Sequence, residues 1–298
     1  MQAVVFFRPN KNQTMNEDYL EKETSQIVLL GTGTPYADPL RCGSSVAIVV
    51  NQIPYIVDLG PGVVRRAAAA YQTGIVGLDL RMLKKAFVTH LHSDHTTGYP
   101  DFIFTPWVLG RDEPLEVYGP EGMSAMTEHV LAAYQQDINE RIYGLEGTNR
   151  LGYRVNVTEI DPGIIYQDSN VKVEAFHVKH GSWQAFGYKF FTPDRTIVIS
   201  GDTAPTEAII EKGKGCDVLI HEVYSEAGLS RHAPMRQKYH ANVHTSSREL
   251  AEVASKVRPR LLILYHQLFW NTSEEELLLE IQEKYDGKVF SGKDLDVF

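Results

Sequence analysis

The sequence predicts an α/β fold built as one large domain, and two observations lead to that class. Apolar runs of strand length, such as residues 26–30 and 261–265, alternate in both halves of the chain with segments of helical periodicity. No stretch rich in proline, glycine and serine separates the halves. The 298 residues are enough for one large domain. We therefore predict a polar N-terminal extension over residues 1–24 and a single domain over residues 25–298.

Composition and charge argue against several classes of protein. No apolar run approaches the length of a membrane span, so we expect no membrane partner. The N-terminus is a poor signal peptide, although a processed secreted form is left open. Cys42 and Cys216 provide no disulfide framework, which favours the cytoplasm. The net charge of −9 and the absence of a dense Lys/Arg cluster argue against nucleic acid as the partner.

The first half begins with strands and turns. The predicted strand over 26–30 runs into a glycine turn over 31–35, whose spacing matches neither a P-loop nor a dinucleotide fingerprint, and we interpret it as structural. Residues 45–50 and 52–57 are typical of a hairpin. Asp58 follows, and two roles stay open for it: it orients a ligand histidine, or it caps the helix predicted over 63–73.

The middle of the chain is less regular. Aromatic residues crowd the segment leading to Trp107, and they form either core or the wall of a substrate pocket. A strand over 115–118 and a helix over 121–134 follow. We predict that residues 137–152 form an irregular insertion loop, at the mouth of the site or at a subunit contact, so a homodimer is left open. Turn residues separate three further strands, which we predict to form a β-meander over 154–160, 164–167 and 171–177.

The second half continues the alternation of strands and helices. Its predicted strands cover residues 187–191, 196–200, 218–221 and 261–265. Its predicted helices cover residues 205–212, 246–256 and 273–285.

A dense group of metal-binding side chains follows the buried strand predicted over 85–89: His90-Leu91-His92-Ser93-Asp94-His95. In an extended segment His90 and His92 point to the same side, so both imidazoles can bind one metal ion. Asp94 and His95 lie further on and can bind a second ion. The alternative is a polar loop with satisfied histidines, but four such side chains at this density rarely serve packing alone.

This hexapeptide resembles the signature of the metallo-β-lactamase superfamily, and the chain is most similar to its ribonuclease Z and arylsulfatase-type branch. The resemblance extends from about residue 27 to residue 298. It implies a four-layer αβ/βα sandwich with a two-metal hydrolytic site along one edge.

The resemblance also implies ligands from the second half. His180 precedes Gly187-Tyr188 at the spacing of a ligand, and His177 is the rival candidate. The alternative role of His180 is a turn cap, that of Asp202 is a helix cap, and that of His266 is a structural histidine. Asp202 has the position of a carboxylate that bridges both ions, and His266 has the last ligand position. The predicted sets are His90, His92, His180 and Asp202 for one ion, and Asp94, His95, Asp202 and His266 for the other. These ligands favour two divalent ions, with zinc first and manganese or iron left open.

Two further residues resemble the catalytic pair of ribonuclease Z-like proteins. Glu222 follows the strand over 218–221, and His244 precedes a helix. A buried carboxylate raises the basicity of an imidazole, which then stays protonated and can donate to a leaving oxygen. Alternatively, His244 is an exposed helix cap, and His240 is a near neighbour that could take its place. Four other histidines are predicted to be structural or at the surface: His129, His177, His221 and His232.

The implied activity is that of a binuclear metal-dependent hydrolase. Two metals would hold a hydroxide that Asp94 orients, and His244 would protonate the leaving oxygen. The tRNA-processing members carry a long arm between the Gly-Tyr strand and the aspartate loop, whereas His180 and Asp202 are only 22 positions apart here. We therefore expect a small phosphodiester, sulfate or other ester as substrate. The alternatives are a ribonuclease Z-type endoribonuclease in tRNA 3′ processing, a lactonase, and a non-catalytic metal-bound scaffold.

Overall fold

The computed structural model of the chain describes residues 25–298, so the predicted extension over residues 1–24 lies outside the described part. A six-stranded sheet with strand order β1-β2-β3-β4-β5-β6 forms its first half. Strands β1 to β3 are antiparallel, and β3 to β6 run parallel. The strands are β1 (Ser25–Gly31), β2 (Ser45–Val50), β3 (Ile53–Val57), β4 (Lys85–Phe87), β5 (Leu115–Gly119) and β6 (Val155–Glu159).

A seven-stranded sheet with strand order β13-β12-β11-β10-β9-β8-β7 forms the second half. Strands β7 to β10 are antiparallel, and β10 to β13 run parallel, so each sheet changes from antiparallel to parallel pairing. The strands are β7 (Gly163–Gln167), β8 (Lys172–His180), β9 (Trp183–Phe191), β10 (Thr196–Ile199), β11 (Val218–Tyr224), β12 (Leu261–Leu268) and β13 (Val289–Ser291).

Helices cover the outer face of each sheet. Where their sequences allow it, capping side chains set their starts: Ser246 and Glu249 form a capping box that begins α9. In the described part of the chain, no helix is long and apolar enough to cross a membrane. The helices are α1 (Val63–Gln72), α2 (Ser93–Thr96), α3 (Tyr99–Val108), α4 (Met123–Ala133), α5 (Gln135–Tyr143), α6 (Glu207–Gly213), α7 (Glu226–Ser230), α8 (Pro234–Val243), α9 (Ser247–Val257) and α10 (Glu274–Gln282).

Three apolar cores define the layers. Buried residues of both sheets, such as Phe87 and Ile263, pack together between the sheets. A second core lies under α1 and α3, and a third lies under α9 and α10. The order is therefore helices, sheet, sheet, helices, because each sheet buries both faces. The predicted four-layer αβ/βα sandwich is confirmed.

The predicted β-meander is wrong in its first strand. Strand β6 pairs in parallel with β5 and completes the first sheet, whereas β7 pairs with β8 in the second sheet. The turn at 160–162, followed by Gly163 with a φ of 133°, thus carries the chain from one sheet to the other. Turn residues between β6 and β7 indicate where the strands end, but they do not determine which sheet each strand joins.

The irregular loop predicted over 137–152 is also wrong in part, because α5 occupies its first half. Ile138 and Ile142 lie one helical turn apart and pack on the core under α1 and α3. Asn149 anchors the remaining residues, since its carbonyl accepts a hydrogen bond of 2.8 Å from Trp107 Nε1. Trp107 is fully buried in the core under α1 and α3, so it belongs to that core and not to a substrate pocket.

A buried arginine ties this segment to α3. The guanidinium of Arg111 donates hydrogen bonds to the carbonyl oxygens of Leu83, Phe102, Ile103 and Gly152 at distances of 2.7–3.1 Å. Burial lowers the pKa of Arg111 to about 10. The side chain remains cationic at neutral pH, and its planar fork satisfies carbonyls that would otherwise be buried without a donor.

Replacing Arg111 by methionine should destabilise the fold. Arg111→Met keeps much of the apolar volume but removes every donor to these carbonyls, and we expect a loss of about 2–4 kcal/mol in the free energy of unfolding. Urea denaturation followed by circular dichroism measures it. Arg260→Ala is the matched control, because that side chain is 85% exposed, and it should change the same quantity by less than about 0.5 kcal/mol. Equal effects of the two substitutions would contradict the proposed role of Arg111.

Candidate metal centre

The histidine-rich hexapeptide lies between β4 and α2. Strand β4 ends at Phe87, two residues earlier than predicted, so His90 and His92 lie in the loop that follows. The two imidazoles still converge, with His90 Nε2 2.9 Å from His92 Nδ1. Asp94 and His95 belong to the short helix α2. The centre of the His95 ring lies 4.2 Å from that of His90, so both pairs of side chains face one site.

The first predicted ligand set is brought together in the structure. His180 is the last residue of β8, and its Nε2 lies 3.1 Å from His92 Nδ1. Asp202 lies in the loop after β10, and its Oδ2 is 4.0 Å from Nε2 of both His90 and His180. The rival His177 is exposed on β8 and stacks on the ring of Phe186, away from this group.

The second predicted set also converges and shares Asp202 with the first. His266 Nε2 lies 3.1 Å from Asp94 Oδ2 and 3.5 Å from Asp202 Oδ2. His95 Nε2 lies 3.5 Å from Asp94 Oδ2 and 3.4 Å from Asp202 Oδ1. One aspartate therefore faces both groups of imidazoles.

A β-bulge directs His266 into the site. Glu222 of β11 pairs with Tyr265 of β12, and the next pair joins Val223 to Gln267, so His266 is an extra residue without a partner. Its φ of 47° is in the left-handed region, which is uncommon for a residue with a side chain. The bulge rotates the imidazole out of the regular alternation of the strand. The sequence placed His266 at the end of its strand, whereas β12 continues to Leu268.

The donor groups fit two divalent cations. All of these side chains except His92 are buried. His95 Nε2 and Asp202 Oδ1 make no hydrogen bond to any described residue, which is costly for buried polar atoms unless a ligand completes them. Four ligands in a tetrahedron around zinc lie about 3.3 Å apart, close to the spacings observed here. The chain is therefore able to hold divalent metal, while the individual ligand roles and the metal's identity remain predictions.

Hydrogen bonds leave the inward nitrogens free to bind a cation. His180 Nδ1 donates to the carbonyl of Val243 at 2.7 Å, so its proton is on Nδ1 and its lone pair is on Nε2. Burial lowers the pKa of His180 and, more strongly, that of His90. Both imidazoles are thereby kept neutral, the form that binds metals.

Asp58 orients His95, which decides between the two roles predicted for it. Its Oδ2 accepts a hydrogen bond of 2.8 Å from His95 Nδ1, and its Oδ1 accepts one of 2.8 Å from the amide of Thr89. The helix-capping alternative is wrong, because α1 begins after Gly62 and Asp58 makes no bond to it. A carboxylate behind a histidine fixes the tautomer and the ring orientation needed at a metal site.

Glu222 and His244 lie together beside Asp202. His244 Nδ1 is 3.3 Å from Glu222 Oε1 and 3.9 Å from Asp202 Oδ2. Glu222 is fully buried within β11, which continues to Tyr224 and not only to residue 221 as predicted. Its Oε1 also accepts hydrogen bonds from the amides of Thr203 and Thr245, so it ties the loops that carry Asp202 and His244.

The pair has the electrostatics expected of an imidazole held by a carboxylate. Burial alone would lower the pKa of His244, but attraction to Glu222 and the hydrogen bond between them raise it above its ordinary value. His244 is 7% exposed, so the alternative of an exposed helix cap is wrong. His240 does not contact Glu222; its ring stacks on His244 at a centroid distance of 5.6 Å.

A pocket of about 230 Å³ opens onto the shared aspartate. The candidate metal ligands form its floor. Residues of α8, together with Pro35 and Tyr36 at the end of the glycine turn, form its walls. It is lined by Pro35, Tyr36, His92, Asp94, Asp202, Tyr239, His240, His244 and Leu268. Sequence reasoning missed Tyr36 and Tyr239, since an isolated tyrosine in a loop or helix carries no pattern that indicates a pocket.

Weakening the support of His95 should weaken metal binding. In Asp58→Asn the amide cannot accept from both His95 and Thr89 as the carboxylate does, and we expect metal affinity to fall about 10- to 100-fold. Competition with a chromogenic chelator measures this affinity. Asp286→Asn is the control, because that carboxylate is exposed and pairs with Arg258 alone. An unchanged affinity in Asp58→Asn would mean that His95 does not depend on this bond.

Comparison with known proteins agrees with this geometry. A family model described as "Beta-lactamase superfamily domain" matches residues 55–267. Ribonuclease Z of Mycobacterium bovis is 29% identical over 276 residues, which cover 91% of this chain and 96% of that protein. The metallo-beta-lactamase fold protein YhfI from Bacillus subtilis has a TM-score of 0.70 at 16% identity, covering 92% of this chain and 98% of its own. The short form of human tRNase Z has a TM-score of 0.66 at 22% identity, with coverages of 92% and 98%. The chain belongs to the beta-lactamase superfamily and is a metal-dependent hydrolase.

Proposed function

We propose that this hydrolase is a phosphodiesterase that binds two divalent cations at the two groups of ligands, with zinc as the favoured metal. The observation that carries the proposal is the convergence of two donor groups on one shared carboxylate, Asp202, with the Glu222–His244 pair beside it. The first cation would be held by His90, His92, His180 and Asp202, and the second by Asp94, His95, His266 and Asp202. Bound there, the cations would supply Lewis acidity and lower the pKa of water.

The chain's own side chains position the reaction. Asp94 Oδ2 is held 3.1 Å from His266 Nε2 at the pocket floor, where it can accept a hydrogen bond from the attacking water and so orient it. His244 Nδ1 donates to Glu222, which leaves Nε2 as the nitrogen that can give a proton to a leaving oxygen. The buried carboxylate compensates the imidazolium, as the raised pKa of His244 indicates.

A general acid favours esters with poor leaving groups. Alkoxide leaving groups need a proton, whereas a nitrophenolate leaves readily without one. A sugar hydroxyl of a nucleotide diester is such a poor leaving group. The name of the Mycobacterium bovis relative, Ribonuclease Z, supports a phosphodiester over a sulfate ester or a lactone.

RNA is the second candidate substrate, and the relatives named Ribonuclease Z favour it. Two features weigh against a large RNA. The chain carries a net charge of −9. A tight turn over 192–195 joins β9 to β10, with Thr192 and Arg195 hydrogen-bonded across it, so no arm extends there. We therefore infer that the substrate is a small phosphodiester.

We also infer a cytoplasmic location for the protein, which the two free cysteines support.

Metal should stabilise the folded chain. Cations bind the converged ligands of the folded state far better than the dispersed ligands of the unfolded chain, and we expect a gain of about 4 kcal/mol in the free energy of unfolding at a free zinc concentration near 1,000 times Kd. Thermal unfolding before and after chelator treatment measures this gain. The Asp202→Asn variant should lose most of it. Identical melting of the metal-loaded and chelated proteins would contradict the proposed centre.

The loss in kcat/KM on replacing His244 should depend on the leaving group of the diester. We expect His244→Ala to lower kcat/KM for a diester with an alkyl leaving group by about 10²- to 10⁴-fold, and for bis(p-nitrophenyl) phosphate by less than about tenfold. Metal content, measured on the same samples, should stay at two ions per chain.

Glu222→Gln provides the matched comparison, because it keeps the shape but removes the charge that sustains the imidazolium. Its loss should follow the same dependence on leaving group. Equal losses for both diesters would exclude His244 as the proton donor. Faster cleavage of an aryl sulfate or a lactone than of any diester would overturn the phosphodiesterase proposal.

A further inference from the structure

A second cavity adjoins the catalytic pocket. It has a volume of about 440 Å³, within the range of small-molecule sites. Tyr36 and Leu268 line both cavities, so a ligand can extend from one into the other past these two side chains. Nothing in the proposed chemistry at Asp202 uses this space.

The cavity is positively charged in an acidic protein. Its formally charged lining residues are Arg41, Arg236 and Asp38, which leave one net positive charge, whereas the whole chain carries −9. Arg236 lies with its guanidinium 5.6 Å from the centre of the Tyr36 ring, and it forms no ion pair with any described carboxylate. The Nη1 atom of Arg41 donates to neutral acceptors, among them Gln267 Oε1 and Thr32 Oγ1, each at 2.8 Å.

Aromatic side chains form the rest of the wall. Phe269 and Trp270 follow β12, and the guanidinium of Arg41 lies 5.3 Å from the Phe269 ring. Trp270 has a φ of 46°, in the left-handed region, and its ring is held at 4.6 Å from His240. A strained backbone conformation of this kind persists only where its surroundings impose it, and it often accompanies a binding site.

We propose that this cavity binds a nucleotide unit of the substrate, with a phosphate on Arg236 and the base against Tyr36 and Trp270. Arginine beside aromatic faces matches a ligand that joins an anion to a flat ring. A simple aryl ester would not use the guanidinium, and inorganic phosphate would not use the aromatic wall. The inference rests on the proposed function, since the scissile phosphate is taken to lie at the metal centre. It narrows the substrate to a nucleotide diester with a second phosphate.

The test compares two thymidine nucleotides that differ by one phosphate. Tryptophan fluorescence of the purified full chain is titrated with thymidine 5′-phosphate and with thymidine 3′,5′-bisphosphate, with metal loaded and after chelation. We expect the second phosphate to tighten binding to the loaded protein about 10- to 100-fold. In Arg236→Ala this gain should vanish, in Arg236→Lys part of it should return, and in the exposed control Arg260→Ala it should be unchanged. Trp270→Phe should remove most of the change in fluorescence that accompanies nucleotide binding.

Equal affinities for the two nucleotides, or a gain that survives Arg236→Ala, would overturn the proposal. Inhibition of diester hydrolysis by the bisphosphate should be competitive, and non-competitive inhibition would also overturn it, because one ligand could not then occupy both cavities. If the protein cleaves no diester, the proposed function fails while the titration still decides the subsite. If a short RNA oligonucleotide displaces the bisphosphate, the subsite is supported and the nucleotide unit that it binds belongs to an RNA. If the RNA fails to displace it, a small nucleotide is the ligand.

Discussion

Asp202 is the side chain on which the proposed centre depends, because its two oxygens face imidazoles of both ligand groups. Burial alone would raise the pKa of this carboxyl, but the nearby imidazoles of His266 and His95 hold it well below its ordinary value. The ionised carboxylate is thus buried among nitrogen donors. Without a cation between them, His95 Nε2 and Asp202 Oδ1 lack partners among the described residues, and such atoms are costly to bury.

The position of Asp202 explains why both halves of the chain are needed. The hexapeptide follows β4 of the first sheet, whereas the other donors come from strands and loops of the second sheet. The two sheets pack face to face through one apolar core, and that packing brings the donors to a common edge. The distances between the donor atoms therefore depend on how the two sheets pack together. Metal binding should accordingly be coupled to the stability of the whole sandwich. Glu222 and Asp58 contribute to this coupling, because Glu222 fixes the loops of Asp202 and His244 and Asp58 fixes the His95 ring.

Local patterns in the sequence predicted an α/β domain and the donors of the hexapeptide, whereas the resemblance to the superfamily implied the four-layer arrangement. The same resemblance implied the donors His180, Asp202 and His266. The hexapeptide is dense enough to be recognised alone, and Asp202 follows a strand with an apolar pattern. What the sequence could not predict depends on partners distant in the chain. The bulge that rotates His266 arises from the register between β11 and β12. The assignment of β6 to the first sheet depends on pairing with β5, which no turn signal encodes. The basic cavity joins Arg41 to Arg236, and each is an isolated arginine in the sequence.

The decisive measurement of the bridging role proposed for Asp202 is diffraction from crystals of the zinc-loaded protein on both sides of the zinc absorption edge. We expect two anomalous peaks per chain, and both should contact the carboxylate of Asp202. One peak should lie beside His180 and the other beside His266. A single peak, or peaks that do not touch Asp202, would contradict this role.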